Sequence, residues 1–172
     1  MKQGFIQVYT GNGKGKTTAA LGLAIRAAGA KQKVFIGQFL KGKKYSELIA
    51  LKRFKDLITI EQFGRASFII KKPTQKDIDN AQNAFKKVSE IIIKGKFDLI
   101  ILDEINCALQ LKLIDLKDVL KVLSDKPKHV EIVLTGRNAP IKIIKIADLV
   151  TEMKEIKHYF HRGIGARRGI EK

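Results

Sequence analysis

The chain has 172 residues, 34 of them Lys or Arg against 17 Asp or Glu, for a formal net charge of +17. Hydrophobic residues at 45% and charged residues at 30% exclude a wholly disordered or collagenous chain, and the length suits one domain, residues 1–172, with its own core. The single cysteine, Cys107, excludes a disulfide framework and fits a cytoplasmic protein, no apolar run reaches bilayer length, and Met1-Lys2-Gln3-Gly4 does not read as a signal peptide.

In chain order, Phe5 to Tyr9 reads as a short buried strand, followed by a Gly-rich turn and a helix from about Lys16 to Ala28. Gly29 is expected to end that helix as a left-handed cap. Val34 to Phe39 forms a second strand and Leu57 to Phe63 a third, with a short helix around Glu47 to Lys55 between them. Thr74 and Asp77 mark a helix start, and Ile78, Ala81, Phe85, Val88 and Ile92 continue it as one apolar stripe. Leu99 to Leu102 is a buried strand ending in Asp103-Glu104. A helix over Asp115 to Leu123, a strand over Val130 to Leu134, a short helix over Pro140 to Ala147 and a strand near Leu149 to Met153 complete the pattern. Apolar strands alternating with helices predict an α/β fold, a mostly parallel sheet covered on both faces.

The segment from Thr10 to Thr18, Thr-Gly-Asn-Gly-Lys-Gly-Lys-Thr-Thr, follows a strand and opens a helix. Gly11, Gly13 and Gly15 let the backbone curl so that successive N–H groups converge, and the helix N-terminus adds partial positive charge. Lys16 would reach phosphate oxygens and the Thr17 hydroxyl a magnesium ion. The general P-loop pattern needs glycine where this chain has Thr10, so the front of the loop is built differently. The bland reading is a glycine-rich turn with a chance Gly-Lys-Thr; the strand–loop–helix context favours nucleotide binding. The reaction stays open at this point, because such loops serve kinases, hydrolases and transferases alike.

Asp103-Glu104 sits where a Walker B-type carboxylate would hold magnesium or its waters, while Glu104 could instead orient a water in a hydrolase, or the pair could merely cap the next helix. Arg26, ten residues beyond Lys16, and Arg137, after a strand, could contact a triphosphate or be ordinary surface residues. Lys41, Lys43 and Lys44 could face the site or keep their loop soluble. His158 and His161 have no third ligand at useful spacing for zinc, and Cys107 reads as a small buried hydrophobe.

Several segments together resemble the P-loop corrinoid adenosyltransferases, the cob(I)yrinic acid a,c-diamide adenosyltransferases. They are Gly11 to Ala20, Gln38 to Gly42, Leu102-Asp103-Glu104, Leu134 to Arg137, Ala147 to Met153, and the tail from Ile156 to Glu171. The resemblance covers Phe5 to Glu171, nearly the whole chain, and the Gly-Asn-Gly-Lys-Gly-Lys-Thr loop is itself a family trait. It implies transfer of the adenosyl group of ATP to the cobalt(I) of a reduced corrinoid, with the triphosphate leaving. The resemblance further implies that ATP lies reversed in the loop, with Gly11, Asn12, Gly13, Lys14, Gly15, Lys16, Thr17 and Thr18 around the nucleotide and Glu104 near the magnesium. Phe68 matches a residue beside the corrinoid, and Ile70 stands where many members have tryptophan. Many members also have an N-terminal covering segment, whereas this chain begins almost at its first strand. A homodimer is implied, and an acidic flavoprotein reductase would suit the positive charge. No membrane partner is expected, and nucleic acid is disfavoured. The rival readings are a P-loop ATPase acting with nucleic acid, which lacks an aromatic stacking platform, and a non-catalytic nucleotide-dependent regulator.

Overall fold

The computed structural model describes residues 2–43, 45–65 and 72–171. The expected positions of Lys44, Phe68 and Ile70 lie outside the described residues. Among the described residues six strands form one sheet: β1 (Ile6–Thr10), β2 (Val34–Gln38), β3 (Ile58–Gln62), β4 (Leu99–Asp103), β5 (Glu131–Thr135) and β6 (Leu149–Glu152). All neighbours pair in parallel, in the order β3-β2-β4-β5-β1-β6.

The central strands are buried on both sides, which is why they read as unbroken apolar runs rather than alternating ones. Their side chains still divide by pleat. Val34, Ile36, Leu99, Ile101 and Val133 pack with Ala20, Ala24, Ala27 and Ala28 of α1 (Lys16–Gly29). Phe35, Ile100, Leu102, Ile132 and Leu134 pack on the other face, under α3 (Gln75–Lys94) and α5 (Leu116–Asp125). The small alanines of α1 bring that helix close to the sheet. The remaining helices, α2 (Ser46–Leu51), α4 (Ile105–Gln110) and α6 (Ile141–Ile146), are short.

The helix start at Thr74 is as expected: its hydroxyl accepts from the Asp77 N–H, and the Asp77 carboxylate accepts from the Thr74 N–H at 2.9 Å. Donation to the Asp77 carboxylate from the Thr74 N–H, and from its hydroxyl at 2.8 Å, holds that carboxyl below the usual range. The end of α1 differs from expectation. Gly29 stays helical, and the left-handed residue is Lys31 at φ 63°, where the N–H groups of Ala30, Lys31 and Gln32 turn back onto Arg26, Ala27 and Ala28 carbonyls. The turn comes two residues late because those bonds, not the glycine, close the helix.

In-register pairing places Gln38 beside Asp103, and Thr135 beside Tyr9, so several polar side chains gather at the carboxyl edge of an otherwise apolar sheet. That is the edge at which ligands bind in open parallel sheets.

Candidate active site

The loop between β1 and α1 sits at this edge. Thr10 belongs to the strand rather than the loop: it pairs with Glu152, is buried, and its hydroxyl accepts from the Ala139 N–H at 3.2 Å. This explains why the loop begins one residue later than the general pattern. The loop is backed by the segment after β6. The Gly13 N–H donates to the Met153 carbonyl at 2.7 Å, and a Cβ at Gly13 would lie 2.8 Å from backbone atoms of Met153 and Lys154. Gly11, at φ 95°, approaches Met153 as closely.

Lys16 is buried and curls over the loop, donating to the Gly11 and Gly13 carbonyls at 2.7 Å each. An ammonium has three N–H donors, so one is left for a ligand oxygen. Burial pushes the Lys16 ammonium below its ordinary value, with Arg137 acting the same way, while Glu104, Cys107 and Asp103 oppose the shift.

Asp103 is 1% exposed, and both of its oxygens accept hydrogen bonds. Its Oδ1 accepts from the hydroxyls of Thr17 at 2.8 Å and Thr135 at 2.7 Å. Its Oδ2 accepts from the Gln38 amide at 3.2 Å and faces Lys41 Nζ at 3.0 Å. Lys41 also lies 3.4 Å from the Thr17 hydroxyl and 3.6 Å from Glu47. Burial alone would lower the Lys41 ammonium, but Asp103, Glu47 and Glu104 outweigh it and hold it above the ordinary lysine value. Its place in the loop after β2 leaves Lys41 open between site and surface; in the fold it faces Asp103 and lines the cleft.

Glu104 adopts the left-handed conformation at φ 62°, uncommon for a residue with a side chain, and caps α4 through a turn in which its N–H donates to Thr135 Oγ1 at 3.0 Å. Arg137, Glu104 and Cys107 line the same cleft as Lys14, Gly15, Lys16, Thr17 and Thr18, a volume of about 810 Å³. Cys107 is only half-buried there, rather than the core residue expected; burial and the neighbouring Glu104 push its thiol up to about 12.

Arg26 does not join this group. It occupies the exposed last turn of α1, about 15 Å along the helix from Lys16, because ten residues of α-helix rise 1.5 Å each. Its charge is felt instead by Tyr9. Gln38 and Thr135, which fix Asp103, were not singled out by the sequence; register alone brings them there.

Magnesium fits the donor set in one way. Thr17 and Asp103 offer hard oxygens 2.8 Å apart, and this cation ordinarily takes one or two carboxylates with the rest from phosphates and water. Among the described residues no group of three His, Cys, Asp or Glu could hold a metal.

The sequence profile of the ATP:corrinoid adenosyltransferase BtuR/CobO/CobP family matches residues 2–171. The chain belongs to this family. It is 38% identical to a corrinoid adenosyltransferase from a Sinorhizobium species, over 99% of this chain and 81% of that protein. It is 35% identical to one from Pseudomonas aeruginosa, over 99% and 84%, and 30% identical to the corrinoid adenosyltransferase CobA of Salmonella typhimurium, over 99% and 86%. Among solved structures, the KaiC-like protein PH0186 of Pyrococcus horikoshii superposes with a TM-score of 0.56 at 15% identity, covering 90% of this chain and 74% of that one. That likeness concerns the fold alone.

Proposed function

We propose that the cleft holds ATP with its triphosphate in the β1–α1 loop and its 5′ carbon open to a reduced corrinoid. The activity is that of the family: the adenosyl group of ATP passes to the corrinoid, and the reading as an ATPase acting with nucleic acid is not favoured. The carrying observation is the make-up of the cleft. It gathers Lys14, Lys16, Lys41 and Arg137, suited to a polyanionic leaving group, while its thiol, Cys107, is held up near 12 and is a poor nucleophile.

Cobalt(I) needs no activated protein nucleophile. Its electron pair forms the cobalt–carbon bond as the bond from C5′ to the triphosphate oxygen breaks, and the pair leaves with the triphosphate. The protein aligns the two substrates and stabilises the departing charge. Lys16 offers its remaining N–H to the phosphates, and converging loop N–H groups add to it. Thr17 and Asp103 would hold magnesium, which when bound neutralises triphosphate oxygens. Glu104 sits beside that pair.

The corrinoid is placed on the Leu40 side, since Leu40 lines both this cleft and an adjoining cavity of about 170 Å³ formed with Phe39, Phe63, Ala81, Leu111 and Leu113. By resemblance, Phe68, which lies outside the described residues, is the residue expected beside the corrinoid. Self-association is placed at β6 and α6: all four residues of this edge strand are exposed, and Ile141, Ile144, Leu149 and Val150 make its surroundings apolar. An acidic flavoprotein that reduces the corrinoid cobalt(II) to cobalt(I) would be drawn by the +17 charge, and the free thiol suits the cytoplasm.

The test is stoichiometry. With ATP, magnesium and chemically reduced cobalamin, triphosphate and adenosylcobalamin should appear in equal amounts; pyrophosphate with phosphate in place of triphosphate would contradict the intact leaving group.

A further inference from the structure

The residues after β6 return to the phosphate loop, and Gly169, Ile170 and Glu171 form part of the cleft wall. Lys14, on the outer limb of the loop, donates to Glu171 Oε1 at 2.8 Å and to the Tyr159 hydroxyl at 3.2 Å. The Tyr159 hydroxyl donates to the same carboxylate oxygen. Arg167 lies over the Tyr159 ring, 4.7 Å from its centre, with a guanidinium nitrogen 3.2 Å from Glu171 Oε1 and its own N–H 2.8 Å from Oε2. Behind this cluster, the backbone of Met153 and Lys154 is pressed against Gly11 and Gly13.

We infer that Glu171 and Tyr159 are positioning residues for the nucleotide: they hold Lys14, and through it the outer limb of the phosphate loop, in the curl that receives the triphosphate. This inference rests on the ATP reading of the cleft.

An isolated surface ion pair would not carry such a role, since exposed pairs contribute little. Here one carboxylate, with a side chain 17% exposed, collects Lys14, Arg167, a tyrosine hydroxyl and a backbone N–H. Two cations against one carboxylate leave this wall net positive, so it attracts a triphosphate rather than mimicking one. Arg167 and Lys14 hold the Glu171 carboxyl far below the usual range. A lowered carboxyl is ionised above its ordinary value and releases the contact only as pH falls well below it, so the clamp stays closed throughout the neutral range.

The experiment measures MgATP binding by calorimetry on the full chain for the wild type, Glu171→Gln, Lys14→Met and the double variant, with KM and kcat alongside. Glu171→Gln should weaken ATP binding about tenfold, as loss of a charge-assisted anchor does, with the loss in KM and a change in kcat under about threefold. Glu171→Asp should recover much of the affinity, and the double variant should bind no more weakly than Lys14→Met alone. Tyr159→Phe reads the same contact independently, should Glu171→Gln prove poorly folded by circular dichroism. Unchanged or tighter binding by Glu171→Gln, or penalties that multiply in the double variant, would overturn the inference. Wild-type protein that fails to bind ATP, or binds it equally well as Lys16→Ala, would instead overturn the ATP reading beneath it.

Discussion

Lys41 Nζ lies 3.0 Å from Oδ2 of Asp103, so the buried carboxylate at the end of β4 carries its own counter-ion. The pair joins the loop after β2 to the end of β4, and through Thr17 to the start of α1. Lys41→Met would leave Asp103 buried with only hydroxyl and amide donors. Removing one member of a buried pair ordinarily costs several kcal/mol, and the residual 16% exposure of Lys41 reduces this to about 2–3 kcal/mol. A fall in melting temperature of roughly 5–10 °C is expected for a chain of this size. A thermal melt unchanged within 2 °C would show that the pair contributes nothing.

The loop glycines give a paired prediction. Gly13→Ala sets a methyl 2.8 Å from the Met153 and Lys154 backbone, which cannot yield as a side chain would. Separation of loop and tail should cost about 1–3 kcal/mol, as overpacking does, and weaken ATP binding. Gly22→Ala, in α1 with nothing within 4 Å of the new methyl, should instead raise stability by about 0.5–1 kcal/mol. Urea titrations of both variants check this; a stable Gly13→Ala with normal ATP affinity would refute the backing role of residues 153–154.

Cys107 predicts a pH dependence. Its thiol is raised to about 12 by burial and by Glu104, above the ordinary value near 9. Below about pH 9 both folded and unfolded chains keep the proton, and this group's contribution to stability is fully present. Between about pH 9 and 12 only the unfolded chain ionises, so the contribution is lost as pH rises. At about pH 9, iodoacetamide should label the native protein at least about 100-fold more slowly than urea-denatured protein, because the thiolate is the reactive form. Comparable rates, measured by mass spectrometry, would contradict the raised value.

Periodicity and punctuation made much of the fold legible. Strand runs such as Leu99 to Leu102 and the Thr74–Asp77 capping box came through because their signals are local. Gly29 misled because a glycine near a helix end is a permissive signal, whereas the turn at Lys31 is set by several backbone bonds together. The Asp103-Glu104 pair offered a cap for the short α4, but the sequence did not show that Glu104 enters it in a left-handed conformation with no side-chain cap bond. At the site, Lys16, Thr17 and Asp103 could be read from motif spacing. Gln38, Thr135, the distance of Arg26 and the position of Lys41 could not, because they depend on strand register, helix rise and loop path. The contact of Glu171 with Lys14 spans 157 positions and leaves no periodic trace in the chain.

The fate of one carbon decides the reaction. Incubation of the protein with magnesium, reduced cobalamin and ATP labelled with carbon-13 at the 5′ position, followed by NMR, should move the label into a cobalt-bound methylene as triphosphate forms. Label remaining in ADP, with phosphate released whether or not a corrinoid is present, would contradict adenosyl transfer.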